Sequence, residues 1–354
     1  MTQPLSRAQS LCDRCGLRVP ILLAPMAGVP TPALSAAIAN AGGLGACGAL
    51  LMAPDAIVAW ANGVRGQSNG AFQLNLWIPD PPPVRDAEQE GRVRAFLGQF
   101  GPEVPAEAAD AVPPDFAAQC EALLKVGPPI VSSIMGVYPP DFVAAMKARG
   151  IAWFATVTTA AEAKAAEAAG ADVVVAQGAE AGGHRGRFDA SAADRDAVGL
   201  FALLPAIADA VGVPVVATGG IADARGIAAA FTLGASAVQI GTGFLRCPEA
   251  GLNPAWSAGL AATAPEDTML TRAFSGRAGR SIATTYARAA ADGPVPAPYP
   301  VQRALTQGMR DAAAKAGDLG RMQAWAGQSA RLARAEPAGA LVHSLWDDAR
   351  RFLR

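Results

Sequence analysis

The chain has 354 residues, 51% of them hydrophobic and 17% charged, which is ample for one large buried core or two small ones. Its 29 Lys and Arg offset 30 Asp and Glu, so no net field draws nucleic acid or an anionic membrane. Five cysteines at irregular spacing and a first ten residues without an apolar export segment argue against a disulfide framework and point to a cytoplasmic enzyme with reduced thiols.

Residues 1–19 form an N-terminal segment that contains the pair Cys12 and Cys15. A zinc site needs four ligands, and no second C-x-x-C or nearby His pair exists, so no metal is expected and the pair reads as part of an N-terminal turn. The charge-free stretch 19–54 has the length of a membrane span, but Pro25, Pro32, Gly42, Gly43, Gly45 and Gly48 interrupt it. It reads instead as a buried strand, helix and strand.

From residue 20 to 246, short β-rich runs alternate with Ala-rich helical stretches, the pattern of βα units around a parallel sheet. Strands are predicted at 21–24, 44–47, 72–78, 130–134, 152–157, 172–177, 214–218 and 237–240. Thr31 before Pro32 marks one helix start, and Thr159 before 160–169 marks another that ends at Gly170. Eight such strands predict an α/β chain folded as a (β/α)8 TIM barrel, with chemistry on the loops at the carboxyl ends of the strands. Residues 79–114, inserted after the third strand, are rich in Pro, Glu and Asp and read as a solvated loop over the barrel mouth, with a lid as the alternative. Residues 247–354 read as a helical C-terminal extension packed on the barrel, lacking the alternating strands of a second sheet.

The loops after the seventh and eighth predicted strands are Thr218-Gly219-Gly220-Ile221 and Gln239-Ile240-Gly241-Thr242-Gly243. Glycine admits positive φ and lets several N–H groups converge on one anion, and a following helix adds the positive end of its dipole. Two such loops at consecutive strand ends of a barrel predict a phosphate site; whether its owner is a flavin or a phosphorylated metabolite stays open. Asn75 in the third strand and Gln177 at the end of the sixth bring amides to the mouth, where they suit an isoalloxazine edge or tie down loop backbone. Ala24, Pro25 and Met26 leave the first strand with small groups against which a flat ring can lie. His184, one of two histidines, sits among glycines after the sixth strand, where imidazole can act as base or anion-stabilising group.

Taken together, APMAG at 24–28, QGAEAGGHRG at 177–186, ATGGI at 217–221, QIGTGF at 239–244, TRAFSGRAGR at 271–280, PYP at 298–300 and WAGQ at 325–328 resemble the class I nitronate monooxygenases, also called 2-nitropropane dioxygenases. The resemblance implies FMN contacts at Ala24, Pro25, Met26, Asn75, Gln177, Gly182, Gly219, Gly220, Gln239, Gly241 and Thr242, with His184 as catalytic residue. It further implies a small anionic nitronate and O2 as substrates, a carbonyl compound and nitrite as products, and no nicotinamide. Tyr299, within the shared PYP, is a candidate substrate contact or a packing anchor. A homodimer is an open assembly.

Three other readings compete. One is an NAD(P)H-dependent quinone or enoyl-thioester reductase built on the same FMN barrel. The second is a lyase or isomerase using the phosphate cradle for its substrate, and the third a noncatalytic flavin-binding module.

Overall fold

The structure, a computed structural model, describes residues 3–353 apart from Pro30 and Ala111. Its strands in chain order are β1 Ile21–Leu23, β2 Gly45–Gly48, β3 Phe72–Trp77, β4 Ile130–Ile134, β5 Ala152–Val157, β6 Val173–Gln177, β7 Gly183–His184, β8 Val215–Thr218, β9 Ala237–Ile240, β10 Thr268–Thr271 and β11 Gly279–Ile282. Eight of them form one parallel sheet in the order β1, β9, β8, β6, β5, β4, β3, β2. A parallel bridge between Leu22 and Leu44 brings its two ends together, so the sheet closes as a (β/α)8 barrel. The eight predicted strands are these eight, with no end shifted by more than one residue, and the predicted seventh and eighth are β8 and β9.

Local chemistry explains the helix starts. Thr31 Oγ1 accepts the Leu34 N–H at 3.1 Å ahead of helix Pro32–Asn40, with proline in the first turn. Thr159 Oγ1 accepts the Glu162 N–H at 3.1 Å ahead of helix Ala160–Ala168. The charge-free stretch folds as β1, helix Pro32–Asn40 and β2, and no helix among the described residues is long and apolar enough to cross a membrane.

Helix Pro4–Cys15 packs into an apolar cluster with Leu22, Leu44, Phe154, Val173 and Val216, which gather toward the amino ends of the strands. The reading of Cys12 and Cys15 as a turn is therefore corrected: both lie on this helix, and burial pushes the Cys12 thiol up to about 12. No group of three or more His, Cys, Asp or Glu is placed to hold a metal among the described residues.

Two expectations for the regions outside the barrel are overturned. Within 79–114, residues Ala87–Leu97 form a helix capped by Asp86, and Ala106–Asp110 form a 3-10 turn. Val93, Leu97, Val104 and Ala109 are buried against Phe274, Tyr286, Val301, Leu305 and Met309 of the C-terminal region. The polar composition of this segment lies on its outer face, while Val93 and Leu97, four residues apart, share the inner one. The segment is thus part of a second apolar core and not a solvated loop. The C-terminal region also contains strands: β10, β11 and β7 form an antiparallel sheet, with Gly279 opposite His184 and Arg280 opposite Gly183.

If the insertion is part of a folded core, Leu97→Ala, at a fully buried site, should lower unfolding free energy by about 2–5 kcal/mol in chemical denaturation. A change within about 0.5 kcal/mol, as surface substitutions give, would return the segment to the status of a solvated loop.

Candidate functional site

The carboxyl ends of the barrel strands surround one cavity, and it is lined by Ala24, Pro25, Met26, Asn75, Gln177, Gly182, His184, Gly219, Gly220, Gln239, Gly241 and Thr242. Every cofactor-binding residue expected from the sequence, and His184, therefore reaches the same space. Tyr299 does not line it. It packs against Trp77 at 5.3 Å between ring centres and faces a second, adjoining cavity.

At the β8 and β9 end, Gly219 has φ +110° and Gly220 φ +68°, a left-handed backbone that side chains rarely adopt. Asp223 caps helix Ala224–Thr232 by accepting the Gly226 N–H at 3.0 Å, so a helix N-terminus follows this loop. After β9 only the 3-10 turn Thr242–Phe244 follows, so the expected second helix dipole is absent there. The N–H groups of Gly220, Thr242 and Gly243 donate to no acceptor among the described residues. Unpaired main-chain donors at two adjacent loops form a concave anion cradle.

A segment that begins in the shared WAGQ motif, to which the sequence reading gave no role, covers this cradle. Gly327 N–H donates to Thr242 Oγ1 at 3.0 Å, Gln328 N–H to Glu180 O at 3.0 Å, and Ser329 Oγ to Gly220 O. A Cβ at Gly182 would lie 2.5 Å from Gly327 N, so glycine is required for the backbones to approach this closely.

The amides divide by role. Gln239 Oε1 accepts from Gln73 Nε2 at 3.1 Å and Asn75 Nδ2 donates to Ser132 Oγ at 3.0 Å, leaving Gln239 Nε2 and Asn75 Oδ1 without a partner among the described residues. One free donor and one free acceptor thus face the cavity. Gln177 is more committed: its Oε1 accepts from Gly186 N at 2.7 Å and Arg185 at 3.2 Å, and its Nε2 donates to His184 O at 3.0 Å. Of the two readings given above, the geometry of Gln177 fits the loop-tying one, and the loop it ties carries His184.

His184 is held on three sides. Its ring meets Trp77 edge-on at 4.6 Å and Trp325 at 4.8 Å, and Nε2 lies 2.7 Å from the fully buried Ser275 Oγ. Ser275 Oγ also lies 3.2 Å from Arg277 O, an acceptor for its single hydrogen. The tautomer that satisfies this chain carries its hydrogen on Nε2 and keeps the lone pair on Nδ1. Burial first, and then the charges of Arg277, Arg303 and Arg310, lower the imidazole to about 3. Against the expectation that a protonated imidazole stabilises an anion, His184 is neutral at ordinary pH.

The charge is elsewhere. Arg277 is paired through two 2.8 Å contacts with Asp80, and Arg310 is spent on Gln307 and Gln323 at 2.6 and 2.9 Å. Arg303 lines the cavity, forms no ion pair among the described residues, and donates only a 3.4 Å bond to Gln307. Among the described residues it is the one fully charged side chain in the cavity wall. Sequence reading missed it, along with Trp77, Ser275 and Trp325 as neighbours of His184. Ser275 and Trp325 lie inside motifs recognised as shared, while nothing local distinguishes Arg303 from other helix arginines.

A family profile described as nitronate monooxygenase matches residues 9–348. The nitronate monooxygenase of Paraburkholderia phytofirmans is 40% identical over 345 residues, spanning 95% of this chain and 94% of its own. Among solved structures, nitroalkane oxidase from Streptomyces ansochromogenes superposes with a TM-score of 0.88 at 37% identity, covering 97% of this chain and 98% of that one. FabK from Thermotoga maritima gives 0.75 at 27% identity, with 97% and 96% covered. The profile match and the identity across nearly the whole chain establish that this chain belongs to the nitronate monooxygenase family.

Proposed function

We propose that the chain binds FMN in the main cavity and oxidises alkyl nitronates with O2 to a carbonyl compound and nitrite. The observation that carries this reading is one arginine without an ion pair and one neutral histidine in a cavity wall that, among the described residues, otherwise bears no full charge.

The residues fit the cofactor. The free N–H groups of Gly220, Thr242 and Gly243 are suited to its phosphate, and the remaining amide valences of Asn75 and Gln239 to the polar edge of its ring. Ala24, Pro25, Met26 and Gly182 offer close walls, and Gly219 and Gly241 give the backbone room to turn around it. Bound there, FMN supplies the one-electron acceptor for the nitronate and its own reoxidation by oxygen.

The protein's part is positional and electrostatic. Arg303 offers a guanidinium to the nitronate oxygens in a site where burial strengthens charge-assisted bonds. His184, wedged between two tryptophans, presents Nδ1 to the α-carbon end. A base lowered to about 3 takes a proton from a neutral nitroalkane only with difficulty. Preformed nitronates are therefore the better substrates, and nitroalkanes the slower ones.

Three outcomes follow from these assignments. Replacing His184 with Asn should cut kcat/KM with nitroalkanes by about a hundredfold or more and with preformed nitronates by much less; equal turnover of both substrates before and after the change would make His184 incidental. Arg303→Met should raise KM for nitronates by about ten- to a hundredfold, the worth of a charge-assisted bond, with Arg303→Lys recovering part of it; an unchanged KM removes Arg303 from the site.

The imidazole signals of His184, identified by their loss in the Asn variant, should stay unmoved in NMR from about pH 5 to 8, since the free group titrates near 6.5. A midpoint near 6.5 would contradict a neutral, buried ring. The linkage has a definite sign: the unfolded chain gains this proton below about pH 6.5 and the folded chain only near 3. The histidine's contribution to stability is thus lost as pH falls between those values.

A further inference from the structure

Strand β3 sends its side chains two ways. Phe72, Leu74 and Leu76 pack into the main apolar cluster with Trp60 and Leu123 of the surrounding helices, while Gln73 and Asn75, at the alternate positions, turn into the barrel. Asn75 lines the cofactor cavity, whereas Gln73, one layer deeper, is fully buried and lies below it. From there Gln73 reaches past β2 to β1 and β9, where its Nε2 donates to Leu23 O at 3.2 Å and to Gln239 Oε1 at 3.1 Å.

This pair of bonds fixes which end of the Gln239 amide meets the cavity. Leu23 O is a main-chain carbonyl and can only accept, so the Gln73 atom beside it is the NH2 group. That group has two hydrogens, and the second faces Gln239, which must answer with its oxygen. Gln239 Nε2 is then the atom left for the cavity, without a partner among the described residues. The Gln239 main chain is itself held, its carbonyl accepting from Thr218 Oγ1 at 2.8 Å. Gln73 Oε1 accepts nothing among the described residues, and an unpaired buried acceptor costs stability. Packing alone would be served by an apolar side chain of the same length, without that orphan. What only the amide supplies is the orientation it imposes on Gln239.

We propose that Gln73 is a positioning residue for the cofactor: anchored on Leu23 O, it locks Gln239 as a hydrogen-bond donor toward the flavin ring and so raises the reduction potential of the flavin. The inference rests on FMN occupying the main cavity and adds a control on its electron affinity. A donor aimed at the accepting edge of the ring binds reduced, more negative flavin more tightly than oxidised flavin. Fixing that donor in advance spares the site from turning an amide when the charge arrives. A flipped Gln239 would present its oxygen and act in the opposite sense. The anchor excludes that state, since it would set Gln239 Nε2 against Gln73 Nε2, two donors with no acceptor between them.

The midpoint potential of the bound flavin, measured anaerobically against a reference dye with neither nitronate nor NADH present, tests this on the full-length protein loaded with FMN. Gln239→Met removes the donor and should weaken the preference for reduced over oxidised flavin by about ten- to a hundredfold, a drop of about 30–60 mV for a two-electron couple. Gln73→Met leaves Gln239 in place but unanchored, and should weaken that preference by about three- to tenfold, about 15–30 mV. Gln73→Leu repeats the test with a second shape in case one variant fails to fold, and retention of the bound flavin spectrum marks a folded protein. In the Gln239→Met background the same Gln73 changes should move the potential no further, a result that a merely structural role would not give.

An unchanged potential in both Gln73 variants overturns the proposal, and so does a shift of the same size when Gln239 has already been replaced. If NADH reduces the flavin and nitronate does not, but the coupled shifts are present, the role of Gln73 stands and the nitronate assignment falls. Nitronate turnover with a potential indifferent to Gln73 gives the reverse, and a chain that takes up no FMN removes both.

Discussion

Two residues of main chain, Gly183 and His184, link the barrel mouth to the small sheet of the C-terminal region. As strand β7 they pair with Gly279 and Arg280 of β11, and this short antiparallel contact fixes where the imidazole points. The residue opposite His184 is glycine for a visible reason: a Cβ on Gly279 would lie 3.0 Å from the Trp325 ring, the ring that closes one side of the imidazole. Behind the pair, Gln177 grips the His184 carbonyl and the Gly186 N–H, so the loop is tied to the end of β6 as well. The small sheet hangs on this attachment, while the cover over the phosphate loops has its own bonds to Thr242, Glu180 and Gly220 and helix Ala338–Phe352 packs directly into the barrel core.

The same construction decides the electrostatics. Three arginines lie around the imidazole: Arg277 follows Ser275 in the turn before β11, Arg303 and Arg310 lie on helices Val301–Leu305 and Gln307–Ala316, and Asp80 pairs only with the first. The imidazole answers by staying neutral, and the negative charge a substrate brings is left to Arg303. A cavity with a neutral nitrogen, an uncompensated cation and a row of free main-chain donors is what the proposed function, an anion beside a phosphate-bearing ring, would call for. That combination, more than any one residue, separates this site from a generic phosphate-binding barrel mouth.

The barrel was legible because each strand is a short apolar run, buried on both faces, between Ala-rich helices with their own caps and stops. The glycine loops and His184 were legible for a related reason: their chemistry is local, and a barrel states in advance which strand ends matter. The rest depends on contacts that no local pattern carries. Strand β7 has two residues and β11 reads Gly-Arg-Ser-Ile, with an arginine at a buried position, so neither has the alternation that marks a half-exposed strand. In the insertion, Pro and acidic residues dominate composition, and the Val93 and Leu97 stripe is short enough to be lost among them. Arg303 stands out by lining the cavity while held by a single 3.4 Å bond to Gln307, which is a fact about three-dimensional space. Gln177 was legible as an amide at the mouth, but whether it faced a ligand or its own loop required the loop's path.

The electron donor is the point on which the account turns, since a flavin barrel of this shape serves oxidases and nicotinamide-dependent reductases alike. The direct measurement is the visible spectrum of the flavin-loaded protein under anaerobic conditions, mixed in parallel with propionate 3-nitronate and with NADH. The account predicts that the nitronate discharges the yellow colour and that NADH leaves it unchanged. Bleaching by NADH with no response to the nitronate would contradict it.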